Sequence, residues 1–197
     1  MQFELREKNS SKKYISGSMW TTKHCGSLEI VGQINKRYTR PSGISTFRHF
    51  LCEFGDGFLV VSTATAIKNG LVFNPYYKKV SGVGFIGEGA YKSRDKSGMT
   101  REYSIWKSMI YRCYSPNAFK GYPSYSDCLV DSRWHNFQNF SEDILSLEGY
   151  NRWFLNIEKM ELDKDIKIKG NRLYSKDTCM FVTKKENTDE RNSRLRT

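Results

Sequence analysis

The sequence predicts an α+β protein in which a small antiparallel sheet comes first and helices follow. Residues 27–34 alternate between apolar and polar side chains, as a half-buried strand does. Residues 47–54 and 58–63 predict two further strands, joined by a hairpin turn at Gly55-Asp56-Gly57. Residues 101–114 instead predict an amphipathic helix, because one stripe of it carries Tyr103, Trp106, Ile110 and Cys113.

The first half of the chain predicts a small, curled antiparallel sheet or barrel-like module. Residues 1–20 are polar and lysine-rich, and predict a flexible basic arm. Residues 36–43 predict a basic turn, residues 65–69 a helical turn and residues 71–73 a short strand. The predicted module spans residues 21–95.

A glycine-rich segment follows, with Gly82, Gly84, Gly87 and Gly89. A phosphate-binding loop would need a following Gly-Lys-Ser/Thr and the start of a helix, and the sequence has neither. We therefore interpret residues 80–91 as a linker or bulged strand that joins two modules.

The second module is predicted to span residues 96–197, with its helices in residues 100–149. Asp131 or Ser132 is expected to cap a second helix that ends at Gly149. Its predicted buried face comprises Trp134, Phe137, Ile144 and Leu145, and core packing is expected for the aromatic residues Trp106, Trp134, Phe137 and Phe140. The remaining expected segments are a loop at 116–126, a strand at 159–166, a loop at 167–176, a strand at 179–183 and a polar, initially helical segment at 184–197.

Charge indicates a polyanionic partner. The formal net charge is +11, from 32 basic and 21 acidic residues, and the excess lies at the two ends. Residues 97–149 are close to neutral, with 5 basic and 6 acidic residues. Nucleic acid is the polyanion that such basic surfaces favour. No apolar run could span a bilayer and the first residues carry no signal region, so we expect a cytoplasmic protein.

The cysteines do not predict a metal site. Five cysteines are widely spaced, with no CxxC pair and no zinc-finger spacing. Buried free thiols are the expected state. The three histidines are scattered, and we assign them no role.

Three pieces near the C-terminus resemble the ββα-metal finger of phage HNH homing-type endonucleases. They are Leu162-Asp163-Lys164-Asp165-Ile166, Gly170-Asn171-Arg172 and the stretch from Cys179 to Asn187. Upstream, Ile105–Tyr114, Tyr125–Cys128 and Trp134–Phe137 resemble a module that precedes this finger in phage members, so the resemblance covers residues 100–190 or so.

The resemblance implies a catalytic layout from which this chain departs. In the family, an Asp-His pair ends the first strand, and the histidine is the general base that activates water. The aspartate and a later His or Asn hold one divalent ion, and a loop asparagine orients the histidine. Asp163, Lys164 and Asn171 occupy the matching positions, but a lysine ammonium cannot accept a proton from water. The second metal position, near Asp177-Thr178, is neither His nor Asn, and we expect Asp163 and Asp165 to face opposite sides, so that they do not bind one ion together.

The expected function is therefore binding without effective cleavage. We expect a monomeric, sequence-specific protein that binds double-stranded DNA, descends from a homing-type endonuclease and acts as a transcriptional repressor of phage or mobile-element genes in a bacterial host. No cofactor, membrane or small-molecule substrate is expected. The expected phosphate contacts are Lys36, Arg37, Arg40, Lys78, Lys79, Lys92, Arg94, Lys96, Lys167, Lys169, Arg172, Lys184, Lys185, Arg191 and Arg194.

Two alternatives stay open. One is an active magnesium-dependent nuclease or nickase, in which Asp163, Asp165 and Asn171 support a metal in a variant geometry, with Asp163 as the metal ligand. The other is a small RNA-binding protein, which would prefer RNA over duplex DNA through contacts to the 2′-hydroxyl.

Overall fold

The computed structural model describes residues 14–194, without the side chains of residues 36, 37, 39, 40, 44–46, 191, 193 and 194. The fold is α+β, and the chain divides into two compact units, Met1–Tyr77 and Lys78–Thr197. Most of the predicted arm, residues 1–13, lies outside the described residues. The rest of the predicted arm, residues 14–20, packs on the first unit, because the Tyr14 ring stacks on Trp20 and Phe50.

The first unit contains a four-stranded antiparallel sheet in the order β1-β2-β3-β4. The strands are β1 (Met19–Thr21), β2 (Ser27–Arg40), β3 (Gly43–Phe54) and β4 (Leu59–Thr63), and a short helix α1 (Ala64–Lys68) follows. The turn predicted at residues 36–43 is confined to Pro41 and Ser42, since β2 and β3 stay paired up to Arg40 and Gly43. The β-branched and aromatic residues in this stretch fit a pleated ladder, and Pro41 and Ser42 suffice to reverse the chain.

The core of the first unit lies on one face of this sheet. It contains Leu28 and Ile30 from β2, Phe50 and Cys52 from β3, and Ile67 from α1. A β-bulge between Ile30 and Gly32 shifts the register of β2. The predicted strand at 71–73 is absent: those residues extend from α1 without joining a ladder, with Val72 buried and its two neighbours exposed.

The glycine-rich segment belongs to the second unit, which begins at Lys78. Val80 bridges to Gly84, and Phe85 bridges to Asn136. A side chain at Gly84 would press on the Trp106 ring, 3.0 Å from the ideal Cβ position. The segment therefore packs on the core of the second unit, which composition alone did not indicate. A two-residue hairpin, β5 (Arg94–Asp95) and β6 (Gly98–Met99), follows it.

Four helices pack around the core of the second unit. They are α2 (Arg101–Tyr114), α3 (Pro116–Gly121), α4 (Phe137–Asp143) and α5 (Tyr150–Phe154). The predicted amphipathic helix is confirmed as α2. The predicted loop at 116–126 contains α3 and a 3-10 turn at Pro123–Tyr125, because Pro116 starts a helix well.

The predicted second helix is broken in two. Asp131 caps a 3-10 turn at Ser132–His135, and the Asn136 side chain then accepts the Gln138 N–H and starts α4 anew. α4 ends at Asp143, and Leu145 lies in a following 3-10 turn at Ile144–Ser146, where it is 48 % exposed, contrary to the prediction. The other predicted core residues, Trp106, Trp134, Phe137, Phe140 and Ile144, are all buried.

Two short strand pairs complete the second unit. β7 (Leu129–Val130) runs parallel to β9 (Leu173–Tyr174), and β8 (Met160–Asp163) is antiparallel to β10 (Met180–Thr183). The last helix, α6 (Lys184–Arg194), follows β10 directly. The predicted loop at 167–176 thus contains β9. Within the part of the chain described, no helix is long and apolar enough to cross a membrane.

Candidate functional site

Strand, loop, strand and helix come together around Asp163 in the second unit. β8 and β10 pair from Asp163↔Met180 to Thr183↔Met160, and α6 begins at the next residue. We call residues 160–194 the finger. Its two strands bury Leu162, Phe181 and Val182, so apolar packing fixes the strand ends that carry the polar residues.

Asp163 holds the turn that leaves β8. Its Oδ1 accepts the N–H groups of Asp165 and Ile166, both at 2.8 Å. The carboxyl group is buried, and burial raises the pKa of Asp163 above its usual value. These bonds end the strand at Asp163. The prediction that the two carboxylates face opposite sides of a strand is wrong, because residues two apart in a strand share a face and because Asp165 lies in the bend beyond the strand.

Lys164 lies in a buried aromatic niche. Its side chain is only 8 % exposed, and its Nζ lies 3.4 Å from the Asp165 carboxylate. The same Nζ lies 5.7 Å from the centre of the Tyr125 ring and 5.6 Å from that of Tyr174. A buried ammonium is tolerated when a carboxylate and π-faces surround it. The Lys164 ammonium thus interacts with a carboxylate and two aromatic rings of its own chain.

Asn171 ties the loop to the residue at position 164. Its Nδ2 donates to the Lys164 carbonyl oxygen at 2.6 Å and to the Leu173 carbonyl oxygen at 2.7 Å. Its Oδ1 accepts the Leu173 N–H at 3.2 Å. One amide side chain therefore closes the loop from 164 to 173 and positions the backbone of Lys164.

Sequence reasoning missed the second cation of this niche. The Arg112 guanidinium of α2 lies over the Tyr125 ring at 5.2 Å and interacts with the Tyr174 hydroxyl. Its buried Nε has no hydrogen-bond partner within residues 14–194. Arg112 lies on the polar side of an amphipathic pattern, so no sequence signal distinguished it from an ordinary surface arginine. The fold alone brings it near Lys164.

The donor atoms here do not fit a divalent ion. Asp163 Oδ1 accepts two N–H groups, and the Asp165 carboxylate is paired with the Lys164 ammonium, which would repel a cation. At the second family position, the Thr178 hydroxyl donates to the Leu173 carbonyl at 2.6 Å and is buried. No group of three or more His, Cys, Asp or Glu side chains that could hold a metal occurs in the described part of the chain. All five cysteines are free and buried.

The predicted phosphate contacts fall into three groups. The first group comprises Lys36, Arg37 and Arg40 in β2 and Arg191 and Arg194 in α6. The side chains of these five residues are not among those described. The second group is exposed in and around the hairpin β5–β6 and the preceding segment: Lys78, Lys79, Lys92, Arg94 and Lys96. The third is exposed on the finger: Lys167, Lys169, Arg172, Lys184 and Lys185.

Arg172 differs from the other exposed finger cations. Its Nη1 donates to the Ser124 carbonyl at 3.0 Å and lies 3.4 Å from the Asp127 carboxylate. It therefore links the finger loop to the turn before β7 and has a structural role of its own.

Compared with protein-family models, with curated proteins and with solved structures, the chain matches none of them.

Proposed function

We propose that this protein binds double-stranded DNA sequence-specifically as a degenerate homing-type HNH endonuclease that no longer cleaves effectively. The observation that carries the proposal is the state of Lys164. At the position where the family places its general base, the chain has a buried cation paired with Asp165 between two tyrosine rings. Such a group neither takes a proton from water nor tolerates a metal beside it.

The scaffold around this position supports binding. β8, β10 and α6 have the strand-strand-helix order of the finger, and Asn171 holds the backbone of residue 164. Exposed lysines flank the site on both sides, at Lys167 and Lys169 after β8 and at Lys184 and Lys185 at the start of α6. Phosphate contacts by such residues dominate DNA affinity, and they do not require catalytic groups.

Occupancy of a site is then the simplest biological output. A homing-type enzyme reads a long sequence, and the loss of chemistry leaves that recognition in place. The protein would act as a repressor of phage or mobile-element genes wherever its site overlaps a promoter.

The deciding experiment captures fragmented phage and host DNA with the purified full-length protein in magnesium, and sequences the captured molecules with their ends. Intact fragments that accumulate over one or a few sites are the expected result. A parallel capture in EDTA is the control, because a binder without a metal should enrich the same sites.

Two other results would contradict the proposal. Fragments that end at one fixed position within the enriched site, in magnesium but not in EDTA, would show an active nuclease. No enrichment of any duplex, together with competition by RNA, would favour the RNA-binding alternative.

A further inference from the structure

The strands β2 and β3 continue well past the rest of their sheet. β4 pairs with residues 49–53 of β3, and β1 pairs with residues 27–29 of β2. Residues 35–48 form six further pairs, from Asn35↔Arg48 to Arg40↔Gly43, and neither strand has a second neighbour there among the described residues. We call residues 35–48 the basic ribbon; at about 3.4 Å per residue its strands run for about 20 Å.

The charge of the ribbon has one sign. It contains Lys36, Arg37, Arg40 and Arg48 and no acidic residue. Charges of either sign would keep an exposed strand edge from pairing with other chains. Four cations without one carboxylate go beyond that need and favour a polyanion.

From this geometry we infer that the basic ribbon enters the major groove of duplex DNA. Two strands about 4.8 Å apart, with their side chains, match a groove about 12 Å wide, which admits a two-stranded ribbon. Two-stranded ribbons are also strongly twisted, and the bulge between Ile30 and Gly32 adds a bend at the base of this one. The inference rests on the proposed binding of duplex DNA and names the element that reads it.

The register assigns the two faces of the ribbon. Arg48 shares a face with Phe50, which is buried in the core of the first unit. Arg48 itself is exposed, and both faces are covered at the base of the ribbon, because Ile34 and His49 on the opposite face are buried too. The opposite face carries Lys36, Tyr38 and Arg40 on β2, with Phe47 paired to Lys36 on β3. We assign this opposite face to the base edges.

An apolar patch supports the assignment. Tyr38 and Phe47 are 42 % and 41 % exposed, and their ring centres lie 5.6 Å apart in an edge-to-face contact. Exposed aromatics flanked by cations on one face of a sheet provide contacts for thymine methyl groups, while lysine and arginine bind guanine O6 and N7. The sequence showed neither the exposure nor the shared face.

The test uses two variants of the full-length protein that each remove two charges from the ribbon. Lys36→Ala/Arg40→Ala changes the face assigned to the bases, and Arg37→Ala/Arg48→Ala changes the other. The probe is a duplex selected by the wild-type protein from a random library. Dimethyl sulfate footprinting reports guanine N7, which lies in the major groove.

We expect Lys36→Ala/Arg40→Ala to lose guanine N7 protection and at least tenfold in preference for the selected duplex over random duplex. Arg37→Ala/Arg48→Ala should keep the protection pattern and lose affinity for both duplexes alike. Thermal unfolding verifies that both variants fold, and Lys36→Gln/Arg40→Gln replaces the first one if alanine lowers its midpoint.

Unchanged N7 protection in the folded Lys36/Arg40 variant would overturn the assignment of the ribbon and leave the DNA-binding proposal standing. If the wild-type protein selects no duplex, or binds single strands in preference, both proposals fall.

Discussion

At the scale of single residues, the most telling position is 164. Its ammonium pairs with Asp165 and faces the rings of Tyr125 and Tyr174. We expect Lys164→His to leave plasmid nicking in magnesium at the level of the wild type, because Thr178 still offers no second metal ligand. DNA affinity should stay within about threefold, since a side chain that is 8 % exposed offers little to a phosphate.

The measurement is a supercoiled-plasmid nicking assay run beside a binding titration. Nicking by Lys164→His that requires magnesium would contradict this expectation, because it would show that the finger had lost its general base and nothing else.

Asp163 gives a prediction on pH. Burial raises the pKa of Asp163, so the folded chain holds this proton to a higher pH than the unfolded chain does. Ionisation therefore reduces stability as the pH rises above the unfolded value of about 3.9, and this loss is absent at acidic pH. Asp163→Asn keeps an oxygen that can accept the N–H groups of Asp165 and Ile166 but carries no charge.

We expect Asp163→Asn to have a higher free energy of unfolding than the wild type at pH 7. The difference should shrink as the pH falls, because the wild-type carboxyl then takes up its proton as well. Urea unfolding at pH 7, 5.5 and 4 measures it. A variant less stable than the wild type at pH 7 would mean that the ionised carboxylate stabilises the turn.

At the scale of elements, α6 depends on a capping box at its start. The Thr183 N–H donates to Glu186 Oε2 at 2.6 Å, and the Glu186 N–H donates to Thr183 Oγ1 at 3.1 Å. We expect Thr183→Ala to lower the free energy of unfolding of the second unit by about 1 kcal/mol. Thr188→Ala, in the same exposed helix but outside the capping box, serves as the control in urea unfolding; an equal effect of the two substitutions would discount the cap.

The junction between α5 and β10 depends on Gly149. This residue has φ +79°, and a Cβ there would overlap the Phe181 carbonyl oxygen. We expect Gly149→Ala to lower the free energy of unfolding by about 2 kcal/mol or more, since both strain and overlap oppose it. Gly121→Ala has open space around its Cβ and an ordinary φ, and it should cost far less in the same urea titration. Equal losses in the two variants would contradict this view of the junction.

At the scale of the whole molecule, positive charge is divided between the two units. The first unit has a net charge of +5 and the second of +6. In the proposed function, both units therefore contribute cations to the binding of DNA.

Salt dependence tests how the finger contributes. We expect Lys167→Ala/Lys169→Ala to weaken DNA binding and to flatten the slope of log K against log salt by about 2, because each lost phosphate contact removes about 0.9. Lys107→Ala/Lys120→Ala removes two exposed lysines from α2 and α3 and is the matched control. The same slope change in both variants would show a diffuse charge effect without a finger interface.

Local patterns predicted those elements whose signal is itself local. The periodicity of residues 101–114 and the turn at Gly55-Asp56-Gly57 both match the structure. The predicted boundaries of helices and strands were wrong where a side-chain hydrogen bond starts or ends an element. The Asn136 side chain starts a new helix, and the Asp163 side chain ends a strand three residues early. These are single hydrogen bonds, which periodicity does not register.

The sequence by itself determined the α+β class, the aromatic core of the second unit, the basic character and the identity of Asp163, Lys164 and Asn171 at the finger. It did so because composition and spacing encode burial and charge directly. Tertiary structure alone decided that Arg112, Tyr125 and Tyr174 surround Lys164, and that β2 and β3 extend into a ribbon. Those features depend on contacts between residues far apart in the chain and on strand register, and no local window of sequence contains them.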